Sequence, residues 1–479
     1  MILDLSSLEG DKSKITATSA QPPRTPMMIS DVLFESRPTP ISSDESIGHT
    51  RKGNSPNTPT VGAMGAAVDI AVRRPTYTDV LRVTEFRAIW IADVQSLVGD
   101  QIARVALTVL VFARTGSAVL TGITYALTYL PSVVGGAFLS PLADRYPRRS
   151  VMIWCDLSRM VLVAVMALPW LPLPALAAVL VFVVLIGRPF FAAESALLPD
   201  ILSGEYYALG SGLRTTTLQV TQLLGFAAGG VLIATIGAHW GLFLDAVTFG
   251  CSALIVSVFV HVRPAPARRT SPEPEPYLRL VSSGVRLVFG DPRLRTLMLL
   301  AWLAAFYTAP EGLAAPYAEH IGAGGARSVG LLLAAIPAGT AIATWLFIRF
   351  VEPQTRSALI GWLALVAGLP LVVCIASPNL WGSIGLWAAT GLCCAYQVQA
   401  AITFVQLVDP SERARAFGLA AAGLLGVQGL GILLFSAIAQ VVAVQQALAL
   451  AGLLGMVMAL PLALRWAKLH KSVSIDGES

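Results

Sequence analysis

From about Phe86 to Leu464 the chain alternates apolar stretches of roughly 20 residues with short polar connections. At a rise of about 1.5 Å per residue, each stretch is long enough to cross roughly 30 Å of hydrocarbon as a helix. The pattern predicts helices at 87–112, 119–140, 150–170, 173–195, 212–236, 239–262, 294–316, 328–350, 357–376, 380–404, 415–441 and 445–466. The expected fold class is therefore an all-α membrane protein of about twelve transmembrane helices.

Composition strengthens that reading: 55% of the residues are hydrophobic and only 13% are charged, against about 25% charged in soluble domains. A net charge of +5 would otherwise suggest nucleic acid, but the basic residues sit in short blocks between spans, so no nucleic-acid partner is expected. With both termini inside, the cytoplasmic connections collect Arg73, Arg74, Arg145, Arg148, Arg149, Arg263, Arg293, Arg356 and Arg413, while Arg114 and Arg327 stand alone outside. So lopsided a partition supports an even number of spans in a cell membrane. The cysteines Cys155, Cys251, Cys374, Cys393 and Cys394 fall inside apolar spans without metal-ligand spacing and read as small core residues. No metal and no cofactor are expected.

Residues 1–80 are rich in Ser, Thr and Pro and read as a disordered cytoplasmic tail, with neither the charged start nor the apolar run of a signal peptide. Met1 and Met64 stay open as alternative starts, since from Met64 a short polar lead and Arg73-Arg74 still precede the first span. Beyond the tail, the chain divides into a six-helix half at 86–262, a cytoplasmic linker at 263–292, a second six-helix half at 293–466 and a short tail at 467–479. An internal repeat underlies the two halves. Arg87 and Arg295, Asp144 and Glu352, Arg148 and Arg356, and Gly210 and Gly418 all stand in register at one constant offset. Parallel repeats related by an axis along the membrane normal give such a pattern. Within the linker, Leu278–Phe289 has the spacing of a short amphipathic helix.

The connection between spans two and three reads Gly135-Gly-Ala-Phe-Leu-Ser-Pro-Leu-Ala-Asp144-Arg145-Tyr-Pro-Arg148-Arg149. It resembles the signature loop of the major facilitator superfamily, with Ser140 and Pro147 departing from the usual glycines. The resemblance implies that Asp144, Arg145, Arg148 and Arg149, with Asp156 and Arg159 beside them in span three, form a cytoplasmic gate. It further implies that the Asp144 carboxylate sits near a helix N-terminus of the opposite half, where free N–H groups and the dipole favour it. Phe86-Arg87-x-x-Trp90, Ser96-x-x-Gly99-Asp100, Thr115-Gly116-Ser117, Leu197-Leu198-Pro199-Asp200, Phe243-x-Asp245-Ala246-x-Thr248-Phe249 and Gly284-Val-Arg286 narrow the resemblance to the macrolide-efflux and enterobactin-exporter-like branch. In span five, Gly225-x-x-x-Gly229-Gly230 is similar to the antiporter glycine motif without its proline, and small residues at that spacing are first a helix-packing device.

Charge inside hydrocarbon is costly, so each ionisable residue in a span should be paired or functional. Asp93, Asp100 and Arg104 share one face of span one. Two readings stay open for Asp100: a structural pair with Arg104, or a midplane carboxylate that takes and releases a proton. Asp156 and Arg159 are expected to pair in span three, Arg214 to snorkel to the inner surface, and Asp245 to act as a structural hydrogen-bond acceptor. Glu311, beside Pro310 in span seven, either reaches water or serves in coupling. In the family the first, fourth, seventh and tenth helices line the cavity, which implies lining roles for Asp100, Arg188, Glu311, Gln397 and Gln399.

With no Gly-x-x-x-x-Gly-Lys loop in the chain, ATP is not the expected energy source. The expected protein is a monomeric secondary transporter working by alternating access. Its expected action is to exchange protons for a hydrophobic or amphipathic small molecule such as a drug, antibiotic or siderophore. A proton-symport importer, which would want a denser polar cavity, is the first alternative. A membrane enzyme or channel is the second, and the isolated His239, His261 and His320 disfavour an enzyme.

Overall fold

The computed structural model describes residues 76–264, 277–409 and 412–476, all within the compact unit Val72–Ser479. Most of the expected tail, the start at Met64 and much of the linker lie outside the described residues. Eleven helices among the described residues are long and apolar enough to cross a membrane. We label them with one further helix in chain order: α1 (Thr84–Thr115), α2 (Ala118–Phe138), α3 (Arg148–Met166), α4 (Leu173–Ile201), α5 (Glu205–Ile236), α6 (Ala238–Phe259), α7 (Pro292–His320), α8 (Ala326–Phe350), α9 (Thr355–Ala376), α10 (Leu380–Leu407), α11 (Arg415–Ile438) and α12 (Val444–His470). The further helix is α3, whose Arg148, Arg149, Asp156 and Arg159 make it too charged to qualify on composition. It packs against α4 and α6 all the same, and its length of 19 residues suffices for a crossing. A helix at Tyr277–Gly290 precedes α7, over the stretch whose spacing is amphipathic.

Sharp turns carry the chain from one helix to the next. Gly116 ends α1 in the left-handed conformation at φ 61°, which glycine adopts without a Cβ clash. Ser117 then caps α2, its side chain accepting from the Leu120 amide at 3.3 Å. Asp291 and Asn379 cap α7 and α10 in the same manner. Four of the helices are broken in mid-course, α9 after Val366 and α10 at Ala395 as well as α2 and α7. The regular pattern of α2 is interrupted before Leu130 and Pro131, and that of α7 between Trp302 and Ala309, just before Pro310. Interrupted helices place irregular backbone within the membrane only where protein covers it.

Small residues bring helices from the two halves together. On α5, Gly225 and Gly229 face Gln101 and Ile102 of α1, while Gly230 meets Gly330 of α8. A Cβ at Gly230 would stand 2.7 Å from the Gly330 Cα, closer than any real contact. Gly122 of α2 lies against Ser436 of α11 and near Gly312 of α7, and the Gln440 amide donates to the Ser117 hydroxyl at 2.9 Å. These contacts cluster at the end of the bundle that carries the α1–α2 and α7–α8 turns, the end expected to face outside. The bundle surface is strongly apolar: Trp154, Trp170, Trp240 and Trp381 are all exposed. Such a surface requires lipid around it.

Candidate functional site

The charged residues of α1, α3, α4, α5 and α6 converge inside the first half rather than dispersing to its surface. Arg159 of α3 donates to both carboxylate oxygens of Asp100 on α1, at 3.0 and 3.3 Å. Its guanidinium lies over the Phe249 ring of α6, 3.8 Å from the centroid, a cation–π contact that gains from the dry setting. Arg214 of α5 donates to Glu194 of α4 and stands 3.5 Å from Asp93 of α1, so one guanidinium ties three helices together.

Three of these contacts correct the pairings expected from spacing. Asp100 pairs with Arg159, not with Arg104, because a guanidinium reaching across from α3 meets the carboxylate more directly than one a turn away on the same helix. Asp156 does not pair with Arg159; it is fully buried and accepts from the Ser252 hydroxyl of α6. Arg214 does not snorkel, since its side chain is 14% exposed and occupied by two acids. Of the arginines gathered inside the half, Arg104 and Arg188 have no ion-pair partner among the described residues. Arg104 lies over the Tyr129 ring at 5.3 Å. Arg188 lies over Phe191 at 5.6 Å, and Gly135 of α2 gives it room, since a Cβ there would come within 2.8 Å of its Cγ.

Several of these groups line a cavity of about 200 Å³. Asp93, Asp100, Arg104, Arg159, Arg188 and Asp245 supply its charge, and Val163, Leu180, Phe190, Leu218 and Leu242 are among its apolar walls. Asp245 reaches this wall because position 99 is glycine: a Cβ there would stand 2.4 Å from the Asp245 carboxylate. The sequence carried a signal for that approach, the Gly99-Asp100 pair, although spacing alone does not reveal which helix covers the glycine. Gln397 and Gln399 of α10 are half-buried and take no part in the wall of this cavity.

Glu311 lies outside the same wall but bridges the halves. The Tyr129 hydroxyl, at the break in α2, donates to Glu311 at 2.7 Å, where α7 restarts after its own break. The carboxylate therefore does not simply reach water; it meets the opposite half, and Arg104 stands over the same tyrosine. At the other end of the bundle, Arg148 donates to the Ala196 carbonyl and to Asp200 of α4, and Arg149 donates to the Ser257 carbonyl of α6. Arg145 is exposed, and the side chain of Asp144 lies outside the described residues. Both described arginine contacts thus stay within the first half.

A family model described as Major Facilitator Superfamily matches residues 89–356. Among characterised relatives, the enterobactin exporter EntS of Shigella boydii serotype 4 (strain Sb227) is 27% identical over 319 residues, 65% of this chain and 72% of that protein. EntS of Escherichia coli O81 (strain ED1a) is 26% identical over the same coverage. Solved structures with a similar fold include the nucleoside transporter NupG, at TM-score 0.60 and 15% identity, covering 80% of this chain and 98% of that one. A POT family transporter in complex with 5-aminolevulinic acid aligns at TM-score 0.62 and 10% identity, covering 80% and 96%. Twelve helices, a charged cavity inside the bundle and a family match over more than half its length identify this chain as a member of the major facilitator superfamily, a membrane transporter rather than an enzyme, with relatives among the enterobactin exporters.

Proposed function

We propose that the protein is a proton-coupled exporter of a hydrophobic or amphipathic small molecule, with both termini on the cytoplasmic side of the cell membrane. The observation that carries this reading is the cavity, whose wall joins ion pairs to a broad apolar and aromatic lining. Such a wall suits a ligand with an apolar body and a few polar groups. Its volume of about 200 Å³ falls short of the roughly 300–1,000 Å³ of drug-sized sites, so a bulky substrate needs the halves to part further. The name of the EntS relatives supports export and a siderophore-like substrate. Coupling is assigned to Asp100, whose partner Arg159 compensates it in one state and is available to a ligand when Asp100 takes a proton. Glu311 is the second coupling site, because protonation would exchange its role as acceptor from Tyr129 for that of a donor, at a contact between halves. Asp144, Arg145, Arg148 and Arg149 are assigned to the gate, and Arg188 to substrate contact; Gln397 and Gln399 join the cavity only if α10 approaches it in another state.

Import by proton symport is the second reading, and one observation favours it: six charged side chains in the wall make the cavity more polar than the sequence alone suggests. Everted and right-side-out vesicles, each given a catecholate siderophore or a fluorescent amphiphilic dye in the outer medium, separate the two. The exporter reading expects accumulation that collapses when the proton gradient is dissipated. Accumulation only in right-side-out vesicles would establish import instead.

A further inference from the structure

A second pocket, of about 220 Å³, lies at the opposite end of the first half from the α1–α2 turn, where α3 begins and α4 and α6 end. Its wall is basic. Arg148, Arg149 and Arg263 contribute three guanidiniums and His261 an imidazole, against the single carboxylate of Asp200. Behind the wall stands Glu85, 8% exposed and already saturated: Arg263 donates to both its oxygens, and the His261 amide and ring nitrogen approach at 3.1 and 3.2 Å. Glu85 therefore holds Arg263 and His261 in place and has no capacity left for the other two arginines. Asp200 occupies one nitrogen of Arg148. Among the described residues Arg149 has only the Ser257 carbonyl, and the Nε groups of both Arg148 and Arg149 are buried with no hydrogen-bond partner there.

Buried donors on permanently charged groups are expensive to leave unmet, and the guanidinium fork matches a phosphate better than any other common anion. The surroundings indicate where such a phosphate would come from. Along α3 and the end of α6, Trp154, Val258, Phe259 and Val262 are exposed apolar side chains, so the pocket opens where the lipid-facing surface of the bundle gives way to polar chain. We propose that this pocket binds the phosphate of an anionic membrane lipid, with Arg149 as its principal contact and Arg148 and Arg263 flanking it. Basic pockets between helices at the membrane surface take anionic headgroups for the same electrostatic reason. The site is independent of the transport cavity and of what that cavity carries.

The full chain in nanodiscs of phosphatidylcholine, with or without a minor fraction of phosphatidylglycerol, provides the test. Native mass spectrometry reads how many lipids stay bound on release, and thermal melting reads stabilisation. The unsubstituted protein should retain phosphatidylglycerol and melt higher in its presence. Arg149→Gln should weaken retention by about tenfold, the usual scale for loss of one charge-assisted contact, whereas Arg149→Lys should keep most of it. Asp200→Asn, which removes the one competing carboxylate, should strengthen retention. Equal retention by the unsubstituted protein, Arg149→Gln and Asp200→Asn would overturn the site. Inorganic phosphate that stabilises the protein in phosphatidylcholine alone and displaces phosphatidylglycerol would overturn the lipid assignment in favour of a soluble phosphate ligand.

Discussion

Replacing Asp100 by Asn leaves Arg159 facing a neutral amide in a site where its side chain is 12% exposed. Breaking a buried pair from one side costs about 3–5 kcal/mol. Two features reduce that here: Asp100 is itself 31% exposed, so water screens part of the pair, and Arg159 keeps its contact with Phe249 at 3.8 Å, worth about 0.5–2 kcal/mol. The expected loss is therefore on the order of 2 kcal/mol. Arg159→Gln alone should cost a similar amount or more, since it uncovers Asp100 and also removes the stacking. The double variant Asp100→Asn, Arg159→Gln should be less destabilised than the sum of the two, with a coupling energy of roughly 1–2 kcal/mol. A parallel cycle with Arg104→Gln should give a coupling near zero, because Arg104 stacks on Tyr129 instead. Melting of purified protein in one detergent supplies all the stabilities, and proton-driven uptake into everted vesicles supplies function. If Asp100 carries the proton, the stable double variant remains uncoupled. Full proton-driven transport by that variant would refute the coupling role and move it to Glu311, and strong coupling to Arg104 instead of Arg159 would refute the geometry itself.

Other tests address separate parts of the molecule. Gly230→Val introduces a Cβ that would stand 2.7 Å from the Gly330 Cα, so it should hold the halves apart at that end and raise thiol labelling of a cysteine placed at Ala326; unchanged labelling would mean that α5 and α8 do not gate. Tyr129→Phe should impair transport about as much as Glu311→Gln, since each removes the 2.7 Å bond between the halves, and transport unaffected by both would remove that bond from the cycle. Cysteines at Arg114 or Arg327, both exposed, should react with an impermeant reagent from outside intact cells, whereas one at Arg145 should not; the reverse pattern would invert the topology.

The helices are legible in the sequence because twenty apolar residues leave the chain few choices. Even α3, which mean composition would reject, is placed by the spacing of its apolar residues around four charges. The pairings are not legible, and for a physical reason. Spacing along one helix says which residues share a face, but not which neighbouring helix that face meets. Asp100 and Arg104 satisfy the rule for a pair within a helix, yet Arg159, 59 residues away, wins because it approaches from across the cavity. Arg214 lies close enough to the predicted start of its span to suggest snorkelling, and only the arrival of α4 and α1 beside it reveals two acids. The breaks in α2 and α7 are half visible, since Pro310 marks one of them, but that Tyr129 closes the gap opposite Glu311 depends on how the halves dock.

The charge carried by α3 also bears on how the chain enters the membrane during synthesis. A charged residue at the centre of a lone helix costs about 2.5–3.5 kcal/mol on insertion, so Asp156 and Arg159 together penalise α3 by roughly 5–7 kcal/mol if it leaves the translocon unaccompanied. Arg159 finds relief early, because α1 with Asp100 has already been made. Asp156 must wait, since its partner Ser252 lies 96 residues later, on α6. Helix α3 is thus expected to stay beside the insertion machinery until α6 emerges, so that chains halted after α4 crosslink to the translocon through α3 and chains halted after α6 release it. The first half then inserts as a cooperative unit, with its internal ion pairs serving as the permit for its most polar helix to enter lipid.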